Sequence, residues 1–235
     1  MRSFHIALGP FTAALALALA CDSGGGAATT PPADPSCSAA EDIEDGENLD
    51  DQVIVQGGRN GYIYTYKDES GTTLDQSGDS FMPGSGGAQG SRGALQISGK
   101  LGTGEAYAGV GFSFVDPVGT YDASRYRGIT FMAKRGKGDG LAQSVRVKIP
   151  DGNTDPKGGV CSECYNDFGI DFAVTEEWTR FTVDFADLKQ EDGWGDPKPG
   201  TLDTSKLYGI QWQVSAAGQS FDLWIDDVSF IGCDG

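Results

Sequence analysis

The chain has 235 residues, with 17 Lys and Arg against 34 Asp and Glu, for a formal net charge of −17. Such a balance excludes nucleic acid and anionic membrane surfaces as partners held by charge, and leaves neutral ligands and cations. Thirty-six glycines, ten prolines and 10% aromatic residues describe a turn-rich chain in which strands outnumber helices.

The apolar run Ile6 to Ala20 follows Arg2 and ends at Cys21, ahead of Asp22-Ser23-Gly24-Gly25-Gly26. One positive charge, a short apolar core and small residues before the cut predict a secretory signal peptide over 1–20, too short to span a bilayer. The segment Leu17-Ala18-Leu19-Ala20-Cys21 resembles a lipobox, with Ala18 where that pattern prefers leucine. It implies lipidation of Cys21, while the same residues also fit ordinary cleavage to a soluble secreted product. Cysteine parity favours the lipid, because five cysteines leave one odd and acylation of Cys21 leaves four to pair in an oxidising compartment. The expected location is the bacterial cell envelope, periplasmic or at the cell surface, with the membrane engaged through the lipid anchor only. Loss of Arg2 with the signal takes the charge to −18 and leaves about 215 residues, room for one β domain and a tether.

Residues 21–36 have no hydrophobic periodicity and read as a lipidated cysteine followed by a disordered linker. From 37 to 235 the chain reads as one domain of short β-type runs separated by Gly, Asp, Asn and Pro clusters. Strands are expected near Gln52 to Val55, Tyr62 to Lys67, Ala94 to Gly99, Ala106 to Phe114, Gly128 to Lys134, Ser144 to Ile149, Phe168 to Phe172, Thr179 to Phe185, Tyr208 to Val214 and Phe221 to Phe230. Gly84 to Arg92 reads as a mobile loop. The regular spacing predicts an all-β sandwich. Val145, Val147 and Ile149 share one strand face against Arg146 and Lys148, and Ile210, Trp212 and Val214 share another against Gln211 and Gln213, so one face of each strand is core.

Three segments carry a resemblance: Ile43-Glu44-Asp45-Gly46 at the domain entrance, Glu177-Trp178-Thr179-Arg180-Phe181-Thr182-Val183-Asp184-Phe185 with Asp187-Leu188 behind it, and Phe221-Asp222-Leu223-Trp224-Ile225-Asp226-Asp227-Val228-Ser229-Phe230. In order and separation they resemble the carbohydrate-binding modules with a galactose-binding-like jelly-roll β-sandwich, particularly the family-eleven type of β-glucan binder. The resemblance implies packing roles for Trp178, Phe181, Phe185 and Trp224, and a polysaccharide as partner. It also implies a structural Ca2+ between the first and last strands, held by Glu44, Gly46 and Asp226, a hard oxygen set that suits calcium better than zinc. The alternative is that Asp226 and Asp227 cap a strand end in solvent. The same adjacency would bring Cys37 to Cys233, a bridge contributing about 4 to 5 kcal/mol by loop entropy. Cys161 and Cys164 would then form a second, local disulfide; no basic residue stands nearby to activate a thiol.

Sugars present apolar C–H faces and rings of hydroxyls, so their binders combine aromatic platforms with polar side chains. The candidates opposite the apolar parity are Arg146, Lys148, Gln211 and Gln213, with Tyr64 or Tyr66 beside them. Asp151, Asn153, Tyr165, Asn166 and Trp194, the last within Gly193-Trp194-Gly195, would form a rim. Trp212 shares parity with Ile210 and Val214 and is expected to be buried. No Gly-x-Ser-x-Gly elbow, His-Glu-x-x-His helix or phosphate loop occurs, and the lone histidine, His5, leaves with the signal. The reading is a non-catalytic module that binds polysaccharide. A structural or protein-interaction envelope lipoprotein and a polysaccharide-acting enzyme are the alternatives.

Overall fold

The computed structural model describes residues 41–76 and 83–232. Cys21, Cys37 and Cys233 lie outside the described residues, and with them the expected lipid site, the Cys37–Cys233 bridge, the signal peptide and the linker.

Among the described residues, twelve strands account for nearly all of the regular structure. In chain order they are β1 (Glu41–Glu44), β2 (Ile63–Lys67), β3 (Thr73–Leu74), β4 (Gly84–Ser85), β5 (Gly93–Lys100), β6 (Ala108–Ser113), β7 (Gly128–Arg135), β8 (Ser144–Ile149), β9 (Phe168–Ala173), β10 (Thr179–Asp184), β11 (Gly209–Val214) and β12 (Ser220–Ile231). Two single turns of 3-10 helix, Pro156–Gly158 and Phe185–Asp187, complete it. One sheet runs β10-β7-β12-β5-β3, with β1 on β12 and β4 on β5; the other runs β2-β6-β11-β8-β9, all antiparallel.

The alternation of side chains along each strand decides what lies between the sheets. Ile210, Trp212 and Val214 of β11, Val145, Val147 and Ile149 of β8 and Phe112 of β6 point inward from the five-stranded sheet and are all buried. They meet Leu95, Ile97, Phe131, Leu223 and Ile225 of the larger sheet in one contiguous core. Trp212 is its centre, edge-on to Phe112 at 5.2 Å and to Phe131 at 5.4 Å between ring centroids, geometries that suit the quadrupoles of aromatic rings.

The opening and closing strands lie side by side, as the resemblance implied. Glu41 faces Phe230 and Asp42 faces Ser229, with a bulge between Asp42 and Glu44 on one strand and between Asp226 and Ser229 on the other. That bulge is where β1 takes over from β5 as the neighbour of β12. Beneath it Arg59, fully buried, pairs with Glu41, donates to the Asp42 carbonyl at 2.6 Å and lies over the rings of Tyr121 and Phe230.

Three sequence expectations need correction. Gln52 to Val55 is no strand: only Gln52 makes a bridge, to Tyr62, and the chain then turns at Gly57 and Gly58, both with positive φ. The Gly84 to Arg92 segment contributes a two-residue strand on β5 and is docked, with Ala88 2% exposed. Trp178 and Trp224 are half-buried rather than core; they flank Lys134 on the outer face of the larger sheet, at 5.0 and 4.7 Å from its Nζ.

Candidate functional site

The outer face of the five-stranded sheet is a trough, and its floor follows from the sequence of β6. That strand alternates Ala108, Val110 and Phe112, which face the core, with Gly109, Gly111 and Ser113. The glycines leave room for their register partners on β2: Tyr66 lies opposite Gly109 and Tyr64 opposite Gly111. Both rings lie over β6, so that a Cβ on Gly109 would meet Tyr66 Cζ at 2.4 Å and one on Gly111 would meet Tyr64 Cζ at 2.8 Å. Their hydroxyls thereby reach toward β11, where Gln211 Nε2 donates to the Tyr64 oxygen at 2.9 Å.

Register then builds two cross-strand rows. One contains Tyr64, Gly111, Gln211, Lys148 and Gly169; the other contains Tyr66, Gly109, Gln213, Arg146 and Asp171. Arg146 donates to Asp171 at 3.1 Å and to the Lys189 carbonyl at 2.7 Å. Lys148, expected at the surface, is 8% exposed because it pairs with Asp167 at 3.1 Å and donates to the Tyr165 carbonyl at 3.2 Å. A buried lysine is tolerated because a carboxylate and a carbonyl replace its water.

Four tyrosines form one wall. Tyr62, Tyr64, Tyr66 and Tyr107 follow one another at centroid spacings of 6.1, 6.3 and 6.2 Å. Tyr107 is fixed by its backbone N–H, which donates to Asp68 at 2.6 Å. Burial raises the Asp68 carboxyl, yet the donors from Ser70, Thr72 and Tyr107 outweigh it and hold the group well below the usual carboxylate range. Burial also raises the Tyr64 and Tyr66 hydroxyls above the usual tyrosine value, so both remain neutral donors at any physiological pH.

The opposite wall is made by two loops fastened together. Cys161 and Cys164 form the expected disulfide, and Tyr165 follows with a φ of 73° and 61% of its surface exposed. Trp194, 41% exposed, stands between Gly193 and Gly195, both with positive φ, and its Nε1 donates to Glu191 at 3.0 Å. Asn166 ties the loops: its Nδ2 donates to the carbonyls of Glu191 and Trp194 and its Oδ1 accepts from Glu191 N–H. The Ser162 hydroxyl adds a 2.5 Å bond to Asp196.

Between these walls lies an open cleft of about 1180 Å³. Tyr64, Tyr66, Arg146, Lys148, Tyr165, Trp194, Gln211 and Gln213, the residues singled out from the sequence, all line it. Sequence reasoning missed Asp167, Tyr107 and Asp155, which line it too; Asp155 has its carboxyl raised by burial and then by Asp167. Asp151 is not a rim residue. It is fully buried and anchors its loop by accepting from the backbone of Asn153, Thr154 and Asp203. Three buried polar atoms at the floor have no partner within the protein: Tyr66 Oη, Arg146 Nε and Asp167 Oδ1.

The sequence matches no family model and no curated protein. Solved structures do match. The family 11 carbohydrate-binding module of the cellulosomal cellulase Lic26A-Cel5E of Clostridium thermocellum superposes with a TM-score of 0.55 at 19% identity, over 83% of this chain and 96% of that one. The fold is that of a carbohydrate-binding module β-sandwich. The same TM-score and identity hold for the Clostridium thermocellum family 11 module in complex with a β-1,3-1,4-mixed-linked tetrasaccharide, over 83% and 97%. The family 30 module of the cellulosomal cellulase Cel9D-Cel44B of Clostridium thermocellum gives 0.54 at 16% identity, over 80% and 99%. The chain spans nearly the full length of each of these modules.

The expected calcium residues Glu44 and Asp226 lie near one another where β1 meets β12. Glu44 and Asp226 are both 2% exposed. Glu44 Oε1 accepts from Gly46 N–H at 2.8 Å, and its Oε2 has no protein partner. Asp226 accepts from the N–H groups of Ala88 and Asp227. Ser91 Oγ lies beside the Asp45 and Gly93 carbonyls. Burial, the largest cause in each case, pushes the Glu44 carboxyl up to about 8 and the Asp226 carboxyl up to about 6. Among the described residues no three His, Cys, Asp or Glu side chains converge as a metal cluster, so carbonyl oxygens would have to complete any shell.

Proposed function

We propose that this chain is a non-catalytic module that captures polysaccharide, with β-glucan as the ligand class. The observation that carries the reading is the cleft: two aromatic walls across a floor of polar side chains held in place by the Gln211–Tyr64, Arg146–Asp171 and Lys148–Asp167 contacts. Aromatic faces suit the C–H faces of sugar rings, and a site built to hydrogen-bond hydroxyls rejects ligands that lack them. The floor carboxylate Asp167 is held by Lys148, which favours a binding role for it over that of a free acid. The mixed-linked tetrasaccharide bound by a module of this fold supports the β-glucan assignment.

Of the exposed large hydrophobic side chains among the described residues, Tyr107, Tyr165 and Trp194 line the cleft, while Leu49, Val55, Val160 and Ile170 come from separate segments. That distribution favours a glycan site over an apolar protein-docking face. Lipidation of Cys21 would keep the captured glycan at the envelope. Glu44, Asp226 and the Gly46 segment would hold a structural Ca2+, which neutralises two buried carboxylates and fastens β1 to β12. Affinity electrophoresis against β-glucans, xyloglucan and mannans tests the reading: retardation by a β-glucan that is lost in Tyr64→Ala and Trp194→Ala supports it, and no retardation by any glycan overturns it.

A further inference from the structure

The tyrosine wall has two sides. Tyr62 and Tyr64 line the main cleft and also a second depression of about 680 Å³, completed by Asp50, Asp51, Gln52, Asn60, Thr65 and Asp116. Strand β2 is the edge of its sheet, so this depression lies over the sheet's rim, reached from the cleft by crossing two aromatic rings.

The second depression is built, not a gap between loose segments. Asn60 and Asp116 are joined both ways, Asn60 Nδ2 donating to the Asp116 carbonyl at 3.1 Å and Asp116 N–H donating to Asn60 Oδ1 at 3.0 Å. The Ile63 N–H donates to the Asp51 carbonyl at 2.7 Å, and the Gln52 N–H to Asp50 at 3.0 Å. These bonds tie the lining to β2 before any ligand arrives, so little ordering is left for binding. The lining contains no Lys or Arg. It is therefore rich in acceptors and repels carboxylate, sulfate and phosphate, whereas neutral hydroxyls can donate to it.

Resting on the glycan reading of the main cleft, we propose that the ligand is a branched neutral polysaccharide: the backbone lies in the main cleft, and a short neutral side chain crosses Tyr62 and Tyr64 into the second depression. Asp51 and Asp116 then discriminate for the branch and take no part in gripping the backbone.

The test is isothermal titration calorimetry with two neutral oligosaccharides of the same backbone length, one linear and one carrying single-sugar branches, on the wild type and on Asp51→Asn/Asp116→Asn, with melting temperature as the folding control. The expected result is at least about tenfold tighter binding of the branched ligand by the wild type, with that ratio falling toward one in the variant while its linear affinity is kept. Equal or weaker binding of the branched ligand by the wild type overturns the proposal, as does a variant that keeps the preference or loses both affinities together. Binding of neither oligosaccharide, nor of any polymer on the panel, overturns the reading of the main cleft instead.

Discussion

The ring of Tyr64 occupies the space in which a side chain on Gly111 would stand: a Cβ there would lie 2.8 Å from Tyr64 Cζ, 2.9 Å from its hydroxyl oxygen and 3.1 Å from Gln211 Cγ. Every atom met belongs to a side chain, and Gly111 does not have the positive φ that would demand glycine for its backbone. Gly111→Ala is therefore accommodated by lifting the ring off the floor and breaking the Tyr64–Gln211 bond. Overpacking of this kind costs about 1 to 3 kcal/mol, measurable by denaturant unfolding. Glycan affinity is expected to fall by at least about tenfold. A folded variant that binds as the wild type does would remove Tyr64 from the binding surface.

Lys148 and Asp167 make a different prediction, because both are buried and each is the other's compensation. Lys148→Met leaves the Asp167 carboxylate uncompensated at the cleft floor and is expected to lower stability by about 3 to 5 kcal/mol. Lys148→Met/Asp167→Leu removes both charges and should recover much of that loss, yet with the polar pair gone from the cleft floor it should not recover glycan binding. Unfolding curves and calorimetry on the two variants separate a structural pair from a binding one.

What could be read from the sequence was whatever had a period. In β8 and β11 six consecutive residues alternate, so parity alone put Arg146, Lys148, Gln211 and Gln213 on the face that forms the cleft. Strands β3 and β4 have two residues each and no period to read, and β1 is three-quarters acidic, Glu41, Asp42 and Glu44 flanking Ile43. Gln52 to Val55 has strand composition but feeds two glycines that turn the chain. Asp167, just before β9, was missed because its burial depends on its pair with Lys148 of β8, and neither segment's pattern carries a sign of the other. The alternating glycines of β6 were the overlooked signal: Gly109 and Gly111, two apart in a β run, mark a sheet face cleared for something flat.

The disulfide gives a prediction about binding more than about folding. Cys161 and Cys164 close a ring of four residues, for which loop entropy supplies no more than about 2 kcal/mol. Cys164 lines the cleft and precedes Tyr165, whose left-handed backbone is unusual for a tyrosine. Cys161→Ser/Cys164→Ser should therefore melt only slightly earlier than the wild type while losing affinity, through a faster off-rate, as Tyr165 leaves its place. Equal off-rates in surface plasmon resonance would show that Asn166 and the Ser162–Asp196 bond hold the wall without the disulfide.

The buried carboxylates at the meeting of β1 and β12 give the pH dependence. Glu44 is raised from 4.5 to about 8 and Asp226 from 3.8 to about 6, so the folded protein binds protons there that the unfolded chain has released. In chelator their contribution to stability is therefore fully present below about pH 4 and is lost as pH rises through 6 and then 8. Calcium binds the ionised carboxylates, so the melting temperature it adds should be larger at pH 8 than at pH 5. Glu44→Gln, which needs no ionisation, should flatten the chelator profile between pH 6 and 8 and lose most of the calcium effect. Melting curves across that range, with calcium and with chelator, decide both parts. Identical curves at pH 8 would dismiss the calcium site, and a wild-type chelator profile that stays flat would show that water or a cationic neighbour already relieves the burial of Glu44.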